Sequence, residues 1–279
     1  GIIVGLIFIG FGISRVGGLE AYGINYSGPS IVIVFGGTFA AALVSFTFRQ
    51  FTRGLASLKD ALFPKKYLYW ETIEQFRNLA SINRREGPMA LYNYVRSLGK
   101  LEDELMEFGI ERFLAGVTDD EMRQYIEPRL ITIMEDSKSN QEVFAKMGKY
   151  APAFGMAGTL VGLIAMLATL KGAAGFAGET IFQMATALIT TLFGLVLANL
   201  VFMPISSRIA KITESELKYK ELIVEGVIGL AEAATGRDLV IRLSGYVPPE
   251  YYPPKSWDDY QDIYRILHTG EAQSEAQQP

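Results

Sequence analysis

The sequence contains no cysteine. Thiolate metal sites, redox pairs and disulfides are therefore excluded. Its single histidine, His268, lies in a polar tail, which leaves little basis for histidine catalysis or a histidine-held metal. No basic stripe stands free of acidic neighbours and the net charge is −4, so nucleic acid is not an expected partner. There is no nucleophile–base set, phosphate-binding loop or metal-ligand cluster, so the chain is expected to be neither an enzyme nor a cofactor carrier. The last scarcity is regional. Charge is missing from whole stretches, above all from Ala151–Leu170, twenty residues without one.

What is present has two characters. The chain is 49% hydrophobic yet 20% charged, with a mean hydropathy of +0.21, which points to a membrane protein with a large water-facing part. A charge-free run of twenty residues is long enough, as a helix, to cross a hydrocarbon core of roughly 30 Å. Four such runs are expected as transmembrane helices: residues 1–13, 29–48, 151–170 and 180–207. The first is short and begins on Gly1 within an apolar run, as a span entered partway would. Residues 14–28 and 171–179 read as short external loops. Between the second and third spans, residues 49–150 carry sixteen basic and sixteen acidic residues. They read as amphipathic helices with breaks at Pro64, Gly87-Pro88, Gly116 and Pro128, and with a helix start at Thr118, where Glu121 sits in the capping-box position. Residues 208–245 read as a solvated helical extension. Residues 246–279 form a Pro/Tyr-rich and polar tail, with a short helix over 258–268 and no fixed structure expected after Gly270.

Orientation follows from the basic residues. All but Arg15 and Lys171 fall in the two long polar segments, so the positive-inside rule puts those segments in the cytoplasm. The expected fold class is thus an all-α integral membrane protein, its four transmembrane helices in two hairpins around a helical cytoplasmic domain.

The third and fourth spans contain no ionisable residue, but they are not featureless. Gly155, Gly158 and Gly162 share a face of the third, with Thr159 at its edge, and small residues so spaced admit another helix closely. A partner's helix is the expected occupant of that face. The fourth span has a stripe of Gln183, Thr186, Ala187, Thr190 and Gly194, with Thr191 alongside. Hydroxyl and carbonyl oxygens can replace part of a cation's hydration shell, but cannot relay a proton as a carboxylate does. If this chain conducts cations, the titrating group must come from another chain. A blander reading stands beside this one: membrane threonines often bond their own i−4 carbonyl. Pro152 and Pro204 could likewise mark only a helix entrance and a tolerated kink.

Several segments together resemble the flagellar motor stator A-subunits (MotA/PomA) of the MotA/TolQ/ExbB proton channel family. They are Gly28-Pro29-Ser30 followed by Ile33–Thr38, then Tyr150–Thr159, then Ala187–Gly194 with Ala198-Asn199-Leu200 and Pro204. The two-hairpin layout is nearer to the stators than to ExbB or TolQ, which have three spans. The resemblance implies a homo-pentamer in the bacterial inner membrane, surrounding a dimer of a single-span MotB/PomB-type subunit whose aspartate supplies the missing carboxylate. It implies that the ion path includes Thr159, Thr190 and Thr191, that Pro152 and Pro204 serve coupling, and that a FliG-type rotor protein is the target. The transported ion is Na+ or H+. Threonine at all three positions is similar to sodium-driven members, so Na+ is the expectation, held near those threonines. Arg84-Arg85-Glu86-Gly87 is similar to the family's rotor-contacting motif. Tyr92 stands where the family has an acid, leaving Glu102, Asp103, Glu104 and Glu107 as substitutes or as plain helix surface. Two other functions remain: a related ion-driven machine powering transport, gliding or defence, and a membrane scaffold without ion flux.

Overall fold

The computed structural model describes residues 7, 11, 28–99, 101, 103–170 and 177–275. The described residues form helices joined by turns and short connections, with no strand among them. The expected first span and both short loops fall largely outside them. Seven principal helices follow one another from the second span: α1 (Gly28–Ser45), α2 (Phe48–Leu62), α3 (Tyr69–Glu86), α4 (Pro88–Leu98), α5 (Glu104–Leu114), α6 (Asp119–Leu170) and α7 (Ala177–Val196, continuing through Leu197–Phe202 and Met203–Ala231). Two more close the chain, α8 (Gly236–Ser244) and α9 (Gln261–Glu275). The fold divides into two compact units, Gly1–Pro64 with Ser137–Ile212, and Lys65–Asp136 with Thr213–Pro279.

The first unit holds apolar stretches of α1, α6 and α7, which among the described residues are the three helices long and apolar enough to cross a membrane. Their hydrophobic side chains largely point outward. Leu160, Val161, Ile164 and Leu188 are each more than half exposed, as suits helices whose solvent is lipid. A small core of Val34, Ala42, Phe51, Phe144, Met147 and Phe202 joins them. The apolar run of the second span ends in structure at Ser45, three residues before Phe48. Thr47 and Gln50 make a reciprocal capping box (Gln50 N–H to Thr47 Oγ1, 3.3 Å; Thr47 N–H to Gln50 Oε1, 3.1 Å), and this starts α2 in a new direction. The Arg208 guanidinium donates to the Ala61 carbonyl at the far end of α2.

Both spanning helices α1 and α7 contain a π turn, Val32–Gly36 and Leu197–Phe202. The effect is visible in burial. Ser30, Val34, Thr38 and Ala42 are all fully buried, and so nearly are Thr190, Gly194, Ala198, Phe202 and Ser206. In a regular α-helix, every fourth residue drifts about 40° around the axis. The wider π turn absorbs that drift and keeps each period-four stripe on one face.

The second unit packs around α3, whose Tyr69, Ile73, Phe76 and Ala80 repeat at helical spacing on one face. They meet Leu105, Met106 and Ile110 of α5, Met122 and Ile126 of α6, and Leu222, Ile223, Val227 and Ile228 of α7. Each such side chain contributes about 1.5–3 kcal/mol by leaving water. Residues 208–245 are therefore not a solvated extension. They supply one wall of this core, with α8 adding Leu239, Val240 and Leu243. Gly87, between α3 and α4, and Gly116, after α5, have φ of +83° and +82°, so the expected breaks fall where L side chains are disfavoured.

Pro128 is different, because α6 runs through it without interruption. One missing N–H and a local clash cost a few kcal/mol, and the rest of a 52-residue helix outweighs that. The tail also departs from expectation. Trp70 Nε1 donates to the Tyr251 carbonyl at 2.8 Å, Trp257 packs edge-on against Trp70, and Arg77 pairs with Asp262 at 2.8 Å. The last helix continues to Glu275 instead of stopping at His268, since Glu271, Ala272 and Gln273 are good helix formers.

Asp103 binds this unit together twice. One carboxylate oxygen accepts the Leu105 N–H at 2.9 Å and caps α5, while the other meets Lys220 Nζ of α7 at 2.5 Å, both side chains being 12% exposed. Asp103→Ala removes the cap and strands a largely buried ammonium, so it should cost about 3 kcal/mol. Thermal unfolding of the purified full chain would read this as a lower midpoint. Asp103→Asn, which retains a capping oxygen, should fall between.

Candidate functional site

The hairpin of α6 and α7 is set by glycine. Ala151 and Gly155 lie beside Gly194, Gly158 beside Thr190, and Gly162 beside Ala187, so the two helices run antiparallel in backbone contact. A Cβ on Gly155 would sit 3.2 Å from the Thr190 carbonyl oxygen, and one on Gly194 only 2.6 Å from that of Ala151. The glycine face of the third span is thus filled by the chain's own fourth span. It is not open to a partner's helix. Small residues let these backbones meet in a setting where hydrophobic association is weak, and van der Waals contact supplies the attraction.

Close approach brings hydroxyls together across the hairpin. Thr159 Oγ1 lies 3.2 Å from the Gly155 carbonyl oxygen and 3.3 Å from that of Ala187, and it contacts the Thr191 hydroxyl directly. Thr191 Oγ1 is in turn 3.3 Å from the Gly155 carbonyl oxygen. Two hydroxyl and two carbonyl oxygens therefore converge between α6 and α7, among apolar side chains. Two hydroxyl protons cannot serve every oxygen pair there at once. Such a cluster has the donor chemistry for a partly dehydrated small cation.

Thr190 does not join this group. It points to α1, where its hydroxyl is 2.8 Å from Ser30 Oγ and 2.7 Å from the Thr186 carbonyl oxygen, and Ser30 Oγ donates to the same carbonyl at 3.2 Å. Ser30 and Thr190 are 0% and 1% exposed. The three expected threonines are thus split into two clusters, one between α6 and α7 and one between α7 and α1. Bonds to an i−4 carbonyl do occur, from Thr159 and from Thr190, but each hydroxyl also reaches another helix. Ser30 was not among the expected residues of this region. It shares a buried face with Thr38, eight residues on, whose buried hydroxyl has no hydrogen-bond partner.

Pro152 and Pro204 both lie inside helices, so Pro152 is not a helix entrance. Pro204 lies two residues beyond the π turn, whose wider winding leaves room for a ring that would otherwise crowd the carbonyl of Leu200.

In the second unit, Arg84, Arg85 and Glu86 are exposed on the last turn of α3, where two cations suit the helix's negative end. Arg84 also acts on α8. The Asp238 carboxyl is held below its ordinary range, chiefly by the Thr235 hydroxyl, with further help from the Thr235 N–H and the charges of Arg237 and Arg84. Tyr92 is exposed on α4. Of the acidic substitutes, Asp103 is committed to Lys220, Glu104 is exposed on α5, Glu107 is half-buried there, and Glu102 lies outside the described residues.

Residues 98–221 match the MotA/TolQ/ExbB proton channel family. The chain is 34% identical over 227 residues to motility protein A of Aquifex aeolicus, covering 81% of this chain and 86% of that one. It is 31% identical over 243 residues to the uncharacterized protein YtxD of Bacillus subtilis, covering 87% of each. Among solved structures, the C. jejuni MotAB structure superposes with a TM-score of 0.79 at 23% identity, over 91% of this chain and 96% of that one, and shares the fold.

Proposed function

This chain belongs to the MotA/TolQ/ExbB proton channel family, as a stator subunit of the motility protein A and PomA type; from that premise we propose that it is one half of an ion-driven motor. Five copies surround a dimer of a single-span B-subunit in the inner membrane, and the charged segments face the cytoplasm. The partner's intramembrane carboxylate binds and releases the ion. This chain supplies the oxygen wall past which the ion moves, and its second unit delivers torque to the rotor. Solved relatives described as MotAB stator complexes support the choice of partner.

The observation that carries this reading is the oxygen cluster of Thr159, Thr191, Gly155 and Ala187, set in apolar stretches, residues 151–170 and 180–207, without a carboxylate of their own. It also favours Na+. A sodium ion needs several oxygens to offset dehydration, whereas a proton needs one acceptor and a water chain. The test is co-purification with the single-span subunit, followed by ion flux and motility measured against external Na+ at fixed pH. Both should rise and saturate with Na+. Flux that ignores Na+ but follows pH would transfer the role to protons, and a complex that passes neither ion would leave a scaffold.

Rotor contact is tested separately. Arg84→Glu with Arg85→Glu reverses the charge at the expected rotor contact, which should weaken docking roughly tenfold or more. Swimming should fall accordingly, while co-purification and ion flux stay at wild-type values. Loss of the complex would assign these arginines to assembly instead.

A further inference from the structure

We propose that α2 lies in the headgroup layer of the membrane and binds anionic phospholipid there through Arg49 and Lys59. Such binding is separate from ion conduction and needs only the membrane-spanning fold. The path of the chain puts α2 at the membrane surface. The second span ends at Ser45, and only Phe46 and Thr47 separate it from α2, so the helix begins at the membrane boundary. Lys146 of α6 stands 4.8 Å over the Phe46 ring at this elbow, five residues before the charge-free run of α6 begins. Beyond the elbow, Gly54 packs on Val143 of α6, and the Ala61 carbonyl accepts from Arg208, the first charge after the apolar run of α7. The helix thus passes across both members of the hairpin, close to the ends of their apolar runs.

The side chains of α2 are distributed to suit that position. At about 100° per residue, Phe51, Gly54, Ser57 and Ala61 form its buried face against the hairpin. Phe48, Leu55 and Leu62 recur at a spacing of seven on one flank of that face, and Arg53 and Asp60 share the other. Arg49 and Lys59 lie between the flanks on the outer side, both exposed. Phe48 is 75% and Leu62 57% exposed, which is unfavourable in water but suits the acyl boundary. A helix with an apolar flank opposite a polar one fits a membrane surface, one flank in each phase. Charge then selects the lipid. Three cations on α2 stand against a single acid, Asp60, and α6 adds Lys146 and Lys149 beside its apolar run. A phospholipid with net negative charge complements this set, whereas a zwitterionic headgroup brings a cation of its own.

The test titrates the purified full chain, in a neutral detergent, with phosphatidylglycerol or with phosphatidylcholine, and reads retained lipid and the thermal midpoint. Phosphatidylglycerol should bind more tightly and raise the midpoint further, and added salt should narrow the difference. Arg49→Gln with Lys59→Gln should lower the phosphatidylglycerol affinity roughly ten- to thirtyfold, since each basic residue at a membrane surface is worth about a factor of five. Phosphatidylcholine binding should not change. Arg49→Lys with Lys59→Arg keeps both charges and should retain wild-type selectivity. Equal affinity for the two lipids overturns the proposal, as does selectivity that survives in the glutamine variant. So does a change of oligomeric mass in that variant with lipid binding unaltered, which would assign the outer side of α2 to a second copy of the chain. No step measures flux, so a negative result here leaves the stator reading standing, and a wild-type complex that passes no ion leaves the lipid site standing.

Discussion

Gly194→Ala is expected to remove most of the assembled protein from the membrane. The added Cβ would lie 2.6 Å from the Ala151 carbonyl oxygen, 3.0 Å from Gly155 Cα and 3.3 Å from Gly155 N. All three are backbone atoms, so no side-chain rotation relieves the contact and the hairpin must open. Overpacking of this kind costs roughly 1–3 kcal/mol or more, a factor of about thirty at the middle of the range. Opening also separates Thr159 from Thr191, so surviving protein should conduct poorly. The membrane fraction can be assayed by immunoblot and the remainder by flux per molecule. Gly36→Ala is the control, because no atom lies within 4 Å of a Cβ at that position. It should be neutral. Wild-type amounts of a conducting Gly194→Ala protein would contradict the packing described for α6 and α7.

The second large effect is expected from Thr191→Val, which removes an oxygen while nearly preserving shape. An interaction of a charged group with one hydroxyl is worth about 1.5–3 kcal/mol, so flux at sub-saturating Na+ should fall roughly 10- to 100-fold. The amount of complex should not change, because the hairpin is held by its glycines. Thr191→Ser keeps the hydroxyl and should retain most of the flux. Undiminished flux in Thr191→Val would remove the oxygen cluster from the ion path.

The membrane helices were readable from the sequence because lipid demands long runs without charge, and few other settings do. The turns at Gly87 and Gly116 were readable for an equally local reason, since each needs a positive φ. The errors come from longer-range effects. Residues 208–245 carry charges at Glu214, Glu216, Lys218, Lys220, Glu221 and Glu225, which obscure the apolar spacing of Leu222, Ile223, Val227 and Ile228. Pro128 signals a break by its own chemistry, but the length of the helix around it decides the outcome. At the site, residue types pointed to hydroxyl chemistry, yet spacing along one helix could not reveal which neighbour each hydroxyl meets. Thr190 and Thr191 are adjacent in sequence and face different helices. The three glycines showed that a close partner exists, without showing that it is the same chain.

The π turns at Val32–Gly36 and Leu197–Phe202 bear on how relatives of this chain should be aligned. A π turn is an α-helix that has taken up one additional residue within a single turn. Removing that residue restores ordinary winding and leaves the residues before and after the turn where they were. Relatives one residue shorter in either segment can therefore keep Ser30 opposite Thr190, and Ala198 in line with Ser206. A gap of one belongs in these two turns, where the fold can close it, and not in the helical segments beside them, where it would rotate every later side chain by about 100°.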